Sequence, residues 1–364
     1  GNYLTVQLKQ HQNYGPSQIR LQVVSDRIIR VQATAEQGFR SKQSLIIVPQ
    51  NSKAQYKVEE QGDDLIITTA AMRAVLNEAT GQITFYDLKD QVLLKEVAQG
   101  GKTFKPFTVP DREIGVDIAK VPEAQKHGWS WRALFDSPDN EAFYGLGQHQ
   151  SEELNMKGKN EDLFQYNTKV SVPFVISNKN YGILWDSYSY SRWGNPEDYL
   201  QLNRAFKLYD KNGKEGQLTG TYVAKDGKKI VRGEDSIYFE YAMPEASEIC
   251  NKTDKGGIQN LPKGFALNGS KVVYEGYVEA PTSSFYQFIL YYAGYTKIYI
   301  DGKLVVPERW RTAWNPNSYK FEAAIPKGKK TQIRIEWQPD GDVSYCGLRV
   351  AAPRSEAEKN QLSI

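Results

Sequence analysis

The stretch Phe143-Tyr144-Gly145-Leu146-Gly147-Gln148-His149 is an aromatic run that leads through a predicted Gly-x-Gly turn to two hydrogen-bonding side chains. Glycine lets the backbone turn where a Cβ would clash. The stretch therefore predicts a buried strand that delivers Gln148 and His149 to an exposed edge. Further motifs follow at Gln165-Tyr166-Asn167-Thr168, Val172-Pro173-Phe174-Val175-Ile176 and Tyr181-Gly182-Ile183-Leu184-Trp185-Asp186. The order of these motifs carries more information than any one of them.

Short alternating segments separated by turn residues run along the whole chain, with almost no sustained helical periodicity. Examples are residues 21–24, 28–31, 45–48 and 65–68, and residues 74–96 divide into three strands at Gly81 and Asp90. Apolar residues at every second position are typical of half-buried strands. The pattern predicts an all-β protein of stacked sheets. Residues 100–140 are less regular, and we expect a connecting excursion there.

A second unit begins near Gly216 and shows hairpin signals of its own. Asp301-Gly302 lies between alternating apolar residues and indicates a type I′ turn, which requires positive φ at both central positions. Ile325-Pro326-Lys327-Gly328-Lys329-Lys330 predicts another turn ahead of a strand at 331–337. The polar tail becomes apolar only at Leu362-Ser363-Ile364, so we expect a strand to begin there in a truncated chain.

Composition excludes several classes of function. The 46 basic and 43 acidic residues are well mixed and leave a formal charge of +3, which provides no field for a nucleic acid or an anionic membrane. No apolar run reaches the ~18 residues of a membrane span. The three histidines lack metal-site spacing, and phosphate-loop and nucleophile-elbow motifs are missing, so no metal or cofactor is predicted. Cys250 and Cys346 could pair or stay apart.

The motifs from Phe143 to Asp186 resemble the N-terminal, galactose-mutarotase-like β-sandwich of glycoside hydrolase family 31, the α-glucosidases and α-xylosidases. Residues 216–352 resemble the protective-antigen-type sandwich (PA-14), which some members of that family insert late in the N-terminal sandwich. The resemblance implies a first sandwich over residues 1–215 with a return segment at 353–364. It implies an inserted second sandwich over 216–352.

The resemblance also implies that the catalytic residues lie outside this chain. Family 31 enzymes use two aspartates of a (β/α)₈ barrel, and retaining chemistry needs the two carboxyl groups about 5–5.5 Å apart. A barrel takes about 250 residues of alternating strand and helix, and no such alternation occurs here. Trp185-Asp186 fits a sandwich strand better than a catalytic segment. We therefore predict no catalytic residue in this chain.

These observations predict the non-catalytic N-terminal region of a retaining α-glycosidase whose barrel is absent. The module-bearing branch resembles α-xylosidases that act on xyloglucan-type oligosaccharides, so the predicted partners are an oligosaccharide or polysaccharide and the missing barrel. We expect an exported protein, periplasmic or extracellular, whose signal peptide has been removed. The alternatives are a free-standing carbohydrate-binding or adhesion protein of two sandwiches and a structural spacer without a ligand.

Substrate contacts are predicted at one loop and at the end of the aromatic run. In family 31 a loop of the N-terminal sandwich helps to form the sugar pocket, and the matching residues are Gln165, Asn167 and Thr168, where many relatives have an aspartate in place of Asn167. Amides donate and accept hydrogen bonds, as vicinal sugar hydroxyls require. The same side chains could instead satisfy their own loop backbone. Gln148 and His149 are further candidates, with buried structural hydrogen bonding as the alternative.

In the second unit, Trp310 and Trp314 are the candidate sugar contacts. They lie in a predicted long loop, and exposed indole rings offer flat faces on which sugar rings stack. Packing between the sheets is the alternative for both tryptophans.

Overall fold

The computed structural model describes residues 3–9, 14–39, 44–48, 54–108, 122–149, 153–165, 169–187, 189–194, 199–239, 261–312, 318–342, 344–353 and 360–364. Strands dominate these residues, and only single-turn helices interrupt them, at α1 (Glu123–Lys126) and α2 (Leu202–Ala205). The predicted all-β class is confirmed. Within the described residues no helix has the length and apolar character required to cross a bilayer.

The N-terminal part of the chain, together with the C-terminal strand β28, forms two sheets that enclose an aliphatic core. One sheet has the order β1-β2-β3, and the other has the order β28-β10-β8-β7-β6-β5-β4 with β9 paired to β10. Ile19, Ile67 and Leu76 are fully buried between them. The strands are β1 (Tyr3–Gln7), β2 (Gln18–Ser25), β3 (Ile28–Thr34), β4 (Lys57–Gln61), β5 (Asp64–Thr68), β6 (Arg73–Asn77), β7 (Ile83–Tyr86), β8 (Val92–Glu96), β9 (Lys102–Thr108), β10 (His127–Asp136) and β28 (Gln361–Ser363).

A third sheet and a short ribbon complete what we call the first body, which comprises β1–β15 and β28. The sheet has the order β11-β13-β14, and the ribbon pairs β12 with β15. Trp193 is buried against Phe143 and stacks on Trp185, with ring centroids 5.2 and 6.2 Å apart. Leu362 of β28 joins this core. The strands are β11 (Phe143–Gln148), β12 (Glu161–Leu163), β13 (Val170–Ser177), β14 (Tyr181–Leu184) and β15 (Ser191–Trp193).

The Gly-x-Gly step is a bulge inside β11 and not the turn that the sequence predicts. Gly145, Leu146 and Gly147 have φ angles of 136°, 68° and 96°, and the pairing of β11 with β13 shifts register between the two glycines. The bulge directs Leu146 into the core, where it is fully buried. A Cβ on Gly147 would lie 2.1 Å from the carbonyl oxygen of Val170. Glycine is therefore required here by both conformation and space.

The second body comprises β16–β27 and encloses the largest aromatic core. One sheet has the order β16-β27-β22-β25 with β20 on β27, and the other has the order β19-β18-β21-β26-β23-β24 with β17 on β21. Tyr222, Tyr274, Phe288 and Trp337 are buried between them. The strands are β16 (Leu200–Gln201), β17 (Lys207–Tyr209), β18 (Leu218–Val223), β19 (Lys229–Glu234), β20 (Ile237–Phe239), β21 (Lys271–Glu279), β22 (Ser284–Tyr292), β23 (Gly294–Ile300), β24 (Lys303–Arg311), β25 (Ser318–Ile325), β26 (Lys330–Gln338) and β27 (Cys346–Val350).

Strand pairing shows which body the strands near the predicted domain boundaries belong to. Strands β16 and β17 precede residue 216 yet pair with β27 and β21 of the second body. Strand β28 returns to the first body, where Leu362 pairs with Phe135. The boundaries at 215 and 352 stay predictions. Cys346 is buried, and Cys250 lies outside the described residues, so their pairing stays open.

Local hydrogen bonding explains one wrong strand prediction. Residues 44–48 form bends and no strand, because the Ser44 hydroxyl accepts hydrogen bonds from the backbone amides of Ile46 and Ile47 at 3.2 and 2.9 Å. Serine side chains compete with strand pairing in this way. The excursion expected at 100–140 instead contains the paired strands β9 and β10. The hairpin at Asp301-Gly302 is confirmed, with φ angles of 47° and 73°.

We predict that Gly147→Ala destabilises the protein by at least about 2 kcal/mol, since it adds a steric conflict with the Val170 carbonyl to the strain of a left-handed backbone. Urea unfolding followed by tryptophan fluorescence measures this change. Gly62→Ala is the matched control, because Gly62 also has a positive φ but open space where its Cβ would lie. We expect about 1 kcal/mol for the control, the cost of the backbone alone. Equal losses for both variants would contradict the packing argument.

Candidate functional site

A polar seam joins the two bodies along residues 158–161. The Lys320 ammonium, on β25 of the second body, donates to the Asn160 carbonyl and lies 3.1 Å from Glu161 Oε2. Lys159 reaches across in the opposite direction to Glu322 Oε1 at 2.5 Å. Each body thus contributes a lysine and a carboxylate, and the two bodies are held in register by reciprocal charges.

A glutamine amide adds further hydrogen bonds to the same seam. Gln287 Nε2, on β22, donates to the Gly158 carbonyl at 3.0 Å and to Glu322 at 3.1 Å. Its Oε1 accepts from Asn160 Nδ2 at 3.5 Å. The Gly158 carbonyl of the first body is thus satisfied by a side chain of the second body.

Glu161 is the most enclosed charge in the seam. Its side chain is 3 % exposed and lies 2.6 Å from Lys169 Nζ, 3.1 Å from Lys320 Nζ and 3.3 Å from His149 Nδ1. Burial alone would raise the pKa of Glu161, but the neighbouring His149 ring and the charges of Lys320 and Lys169 outweigh it and hold the pKa well below its usual range. Glu161 is therefore ionised and fixed, which suits it to positioning neighbouring segments.

His149 does not reach the exposed edge that the sequence predicts. Its side chain is 6 % exposed, and Nε2 donates to the Leu146 carbonyl at 2.7 Å. Nδ1 faces Glu161 without an aligned hydrogen bond. The β11 bulge explains the difference, because it changes which side chains of the strand face inwards. Gln148, one residue earlier, is exposed and pairs with Val170.

Gln165 lies in an exposed position two residues after β12, and Asn167 and Thr168 lie outside the described residues. The segment from β12 to β13 passes Lys169, which binds Glu161, and then enters β13 at Val170, opposite Gln148. Topology therefore brings Gln148 next to the C-terminal end of the predicted substrate loop. Of the predicted residues that the structure describes, only Gln148 and Gln165 combine exposure with this location.

Trp310 lies in strand β24 of the second body, not in the predicted long loop. It is 48 % exposed, its Nε1 donates to Asp340 at 2.7 Å, and its ring is tilted against Tyr295. One part of the indole surface is therefore open to solvent. Trp314 lies outside the described residues.

A polar cavity of about 710 Å³ opens at the junction of the two bodies. Its lining combines phenol, amide and guanidinium groups, notably Tyr199, Gln201, Asn203, Arg204, Tyr291 and Arg349, while Glu161 and Lys320 of the seam contribute another part of the wall. No motif in the sequence identified these residues, because they come from separate segments that meet only in the folded chain.

The groups in this cavity are suited to hydrogen-bonding a polar ligand. Gln201 Oε1 is a buried acceptor with no hydrogen-bond partner among the described residues. Burial raises the pKa of Tyr199, so its phenol stays protonated and can donate. Among the described residues no group of three or more metal-ligating side chains comes together. The arrangement provides donors and acceptors for a hydroxyl-rich molecule.

Comparison with known proteins gives a consistent result. Residues 18–193 match the family described as glycosyl hydrolase 31 N-terminal galactose mutarotase-like domain. The crystal structure of a family 31 α-xylosidase from Xanthomonas citri superposes with a TM-score of 0.80 at 35% identity, over 99% of this chain and 36% of that chain. The superposition therefore includes the second body.

Two curated proteins match about half of the chain. An uncharacterized family 31 glucosidase of Pseudescherichia vulneris is 27% identical over 46% of this chain and 32% of its own length. An α-xylosidase of Saccharolobus solfataricus is 25% identical over 48% of this chain and 23% of its own length. The chain thus spans about a third or less of the length of these relatives.

We predict that Lys320→Met destabilises the protein by at least about 2 kcal/mol, because it removes one cation from a buried carboxylate. Urea unfolding measures the change. Lys297→Met, which breaks the exposed pair with Glu308 on the same body, is the control and should have little effect. A Lys320→Met variant as stable as this control would contradict the role of the seam.

The pH dependence of stability should carry the signature of Glu161. Because its pKa is lowered in the folded state, the stability it contributes is present above about pH 4.3, the ordinary pKa of a glutamate, and is lost as the pH falls further. Burial raises the pKa of Glu153, which acts in the opposite direction. Comparing wild type with Glu161→Gln isolates the contribution of Glu161 to stability. The variant should have a lower free energy of unfolding at pH 7, and the difference from wild type should become smaller towards pH 3. A constant gap would contradict this assignment.

Proposed function

We propose that the chain is the non-catalytic N-terminal region of a retaining α-glycosidase. The premise is that residues 18–193 form a family 31 N-terminal galactose-mutarotase-like domain, homologous to family 31 α-xylosidases. The observation that carries the proposal is the superposition on the Xanthomonas citri α-xylosidase over 99% of this chain. A likeness that includes both bodies favours a shared role in one enzyme over two unrelated modules.

In this proposal the chain shapes and extends a sugar-binding cleft. The exposed amides of Gln148 and Gln165 contact substrate hydroxyls at the end of β11 and after β12, and Asn167 and Thr168 belong to the same loop. The second body, of the protective-antigen (PA-14) type, lengthens the cleft, and Trp310 offers a stacking surface there. Tyrosine, amide and guanidinium side chains in the junction cavity suit a second stretch of the same glycan.

The preferred substrate class is a xyloglucan-type oligosaccharide, since two of the relatives are α-xylosidases. Catalysis belongs to a barrel domain outside these 364 residues, which is the chain's principal partner. A polymer fragment of this kind is encountered outside the cytoplasm, so export is part of the proposal.

A free-standing carbohydrate-binding protein is the second candidate. The junction cavity favours it, because both walls of that cavity come from this chain. Under this alternative, glycan affinity would be complete without any further domain.

We predict that the 364-residue chain hydrolyses no aryl α-xyloside, whereas the full-length protein encoded by the gene does. The isolated chain should bind a xyloglucan heptasaccharide only weakly, with Kd near or above about 1 mM, because part of the contact surface lies in the barrel. Colorimetric assay and calorimetry measure the two quantities, and maltoheptaose is the matched control ligand.

In the full-length enzyme, Gln165→Ala should raise KM severalfold. Gln37→Ala is the control: this residue of the first body is distant in sequence from Gln165, and its substitution should leave KM unchanged. Enzyme-like hydrolysis by the 364-residue chain would refute the assignment of catalysis to another domain. Micromolar affinity of the isolated chain would favour the binding protein.

A further inference from the structure

The outer face of the β11-β13-β14 sheet is apolar although it is exposed. Val172, Phe174 and Ile176 of β13 are 41 %, 37 % and 51 % exposed, and Tyr144 of β11 and Leu184 of β14 are 41 % and 48 % exposed. We call these five side chains the apolar face. An antiparallel sheet with one solvated side normally carries polar residues there.

The five side chains form one continuous surface. Tyr144 pairs with Ile176 and Phe174 pairs with Leu184, so the members of each pair lie side by side. The Phe174 ring also lies over Gly182, where a Cβ would be 2.9 Å from the ring. The missing side chain at Gly182 leaves the space that the ring occupies.

The opposite side of the same strands is already occupied by the core of the first body. Phe143 and Val175 are buried in the cluster that contains Trp193. The sheet therefore presents apolar residues on both sides, as expected for a layer with packing partners on both sides. Only one partner layer is present in the described residues.

The second body shows what a solvated face looks like in this protein. The outward residues of β26 alternate with buried ones and are all polar: Lys330, Gln332, Arg334, Glu336 and Gln338. The contrast within one chain indicates that the apolar face is not adapted to water. Contiguous exposed apolar patches of this kind mark interaction surfaces.

We propose that the apolar face is the docking surface for the remaining polypeptide of the glycosidase, an inference that rests on the function proposed above. The Xanthomonas citri α-xylosidase has about two thirds of its chain outside the match, since only 36% of it is covered. Absence of charge from the face suits a permanent, intramolecular contact, because obligate interfaces resemble a domain core.

The position of the face adds a functional reason for the same partner. Strand β11 contributes Tyr144 to the face and ends at the exposed Gln148, and β13 begins at Val170, directly after the predicted substrate loop. A domain seated on the face would therefore lie beside Gln148 and that loop. Docking and substrate contact are served by the same sheet.

The test compares the same pair of substitutions in two proteins. Ile176→Glu combined with Leu184→Glu should leave the Tm of the 364-residue chain nearly unchanged, because both side chains are exposed there. In the full-length protein the same pair should lower Tm by about 4 °C or more, since it buries charge against the docked domain. Val231→Glu, at a residue 51 % exposed on β19 of the second body, is the matched control and should shift neither Tm.

Equal Tm shifts in the two proteins would overturn the docking face. Analytical ultracentrifugation of the 364-residue chain provides a second readout: a dimer that Ile176→Glu and Leu184→Glu dissolve would assign the face to a second copy and also overturn the proposal. Hydrolysis of aryl α-xyloside by the full-length protein tests the proposed function separately. An active full-length enzyme with equal Tm shifts refutes the docking face alone, whereas an inactive one refutes the proposed function.

Discussion

A buried carboxylate surrounded by cations is the constraint on which the arrangement of the two bodies depends. Glu161 is 3 % exposed and contacts Lys169 from its own body and Lys320 from the other. A buried charge cannot lose its partners without a large cost, so the bodies cannot separate or rotate freely while Glu161 stays ionised. Glu161 and Lys320 also line the junction cavity, and the shape of the cavity is therefore tied to this ion pair.

The sequence predicted most strands of the first body correctly and much of the second. Where turn residues have a single structural meaning, as at Asp301-Gly302 or at Gly81, the prediction and the structure agree. The prediction was wrong at residues 45–48, where the Ser44 side chain accepts hydrogen bonds from the backbone, and at Gly145–Gly147, where a bulge has the same residue pattern as a turn. Such choices depend on contacts with distant strands, and local sequence does not contain them.

The candidate site was less accessible to sequence reasoning than the fold. Gln148 and Gln165 are exposed, and their role as sugar contacts stays a prediction, whereas the His149 side chain is buried beside Glu161. Residues of the junction cavity, such as Tyr199 and Arg349, carry no local signal because they are brought together only by the packing of the two bodies. The sequence analysis did not predict the apolar face, because the exposure of an apolar strand depends on which elements pack against it in the folded chain.

The most direct measurement of the central claim is a double-mutant cycle across the seam, with Glu161→Gln, Lys320→Met and both together. The free energies of unfolding give the coupling between the two side chains. Our account predicts a coupling of at least about 1 kcal/mol, as expected for buried partners in contact. Additivity within about 0.4 kcal/mol would show that the two bodies are held together by something else.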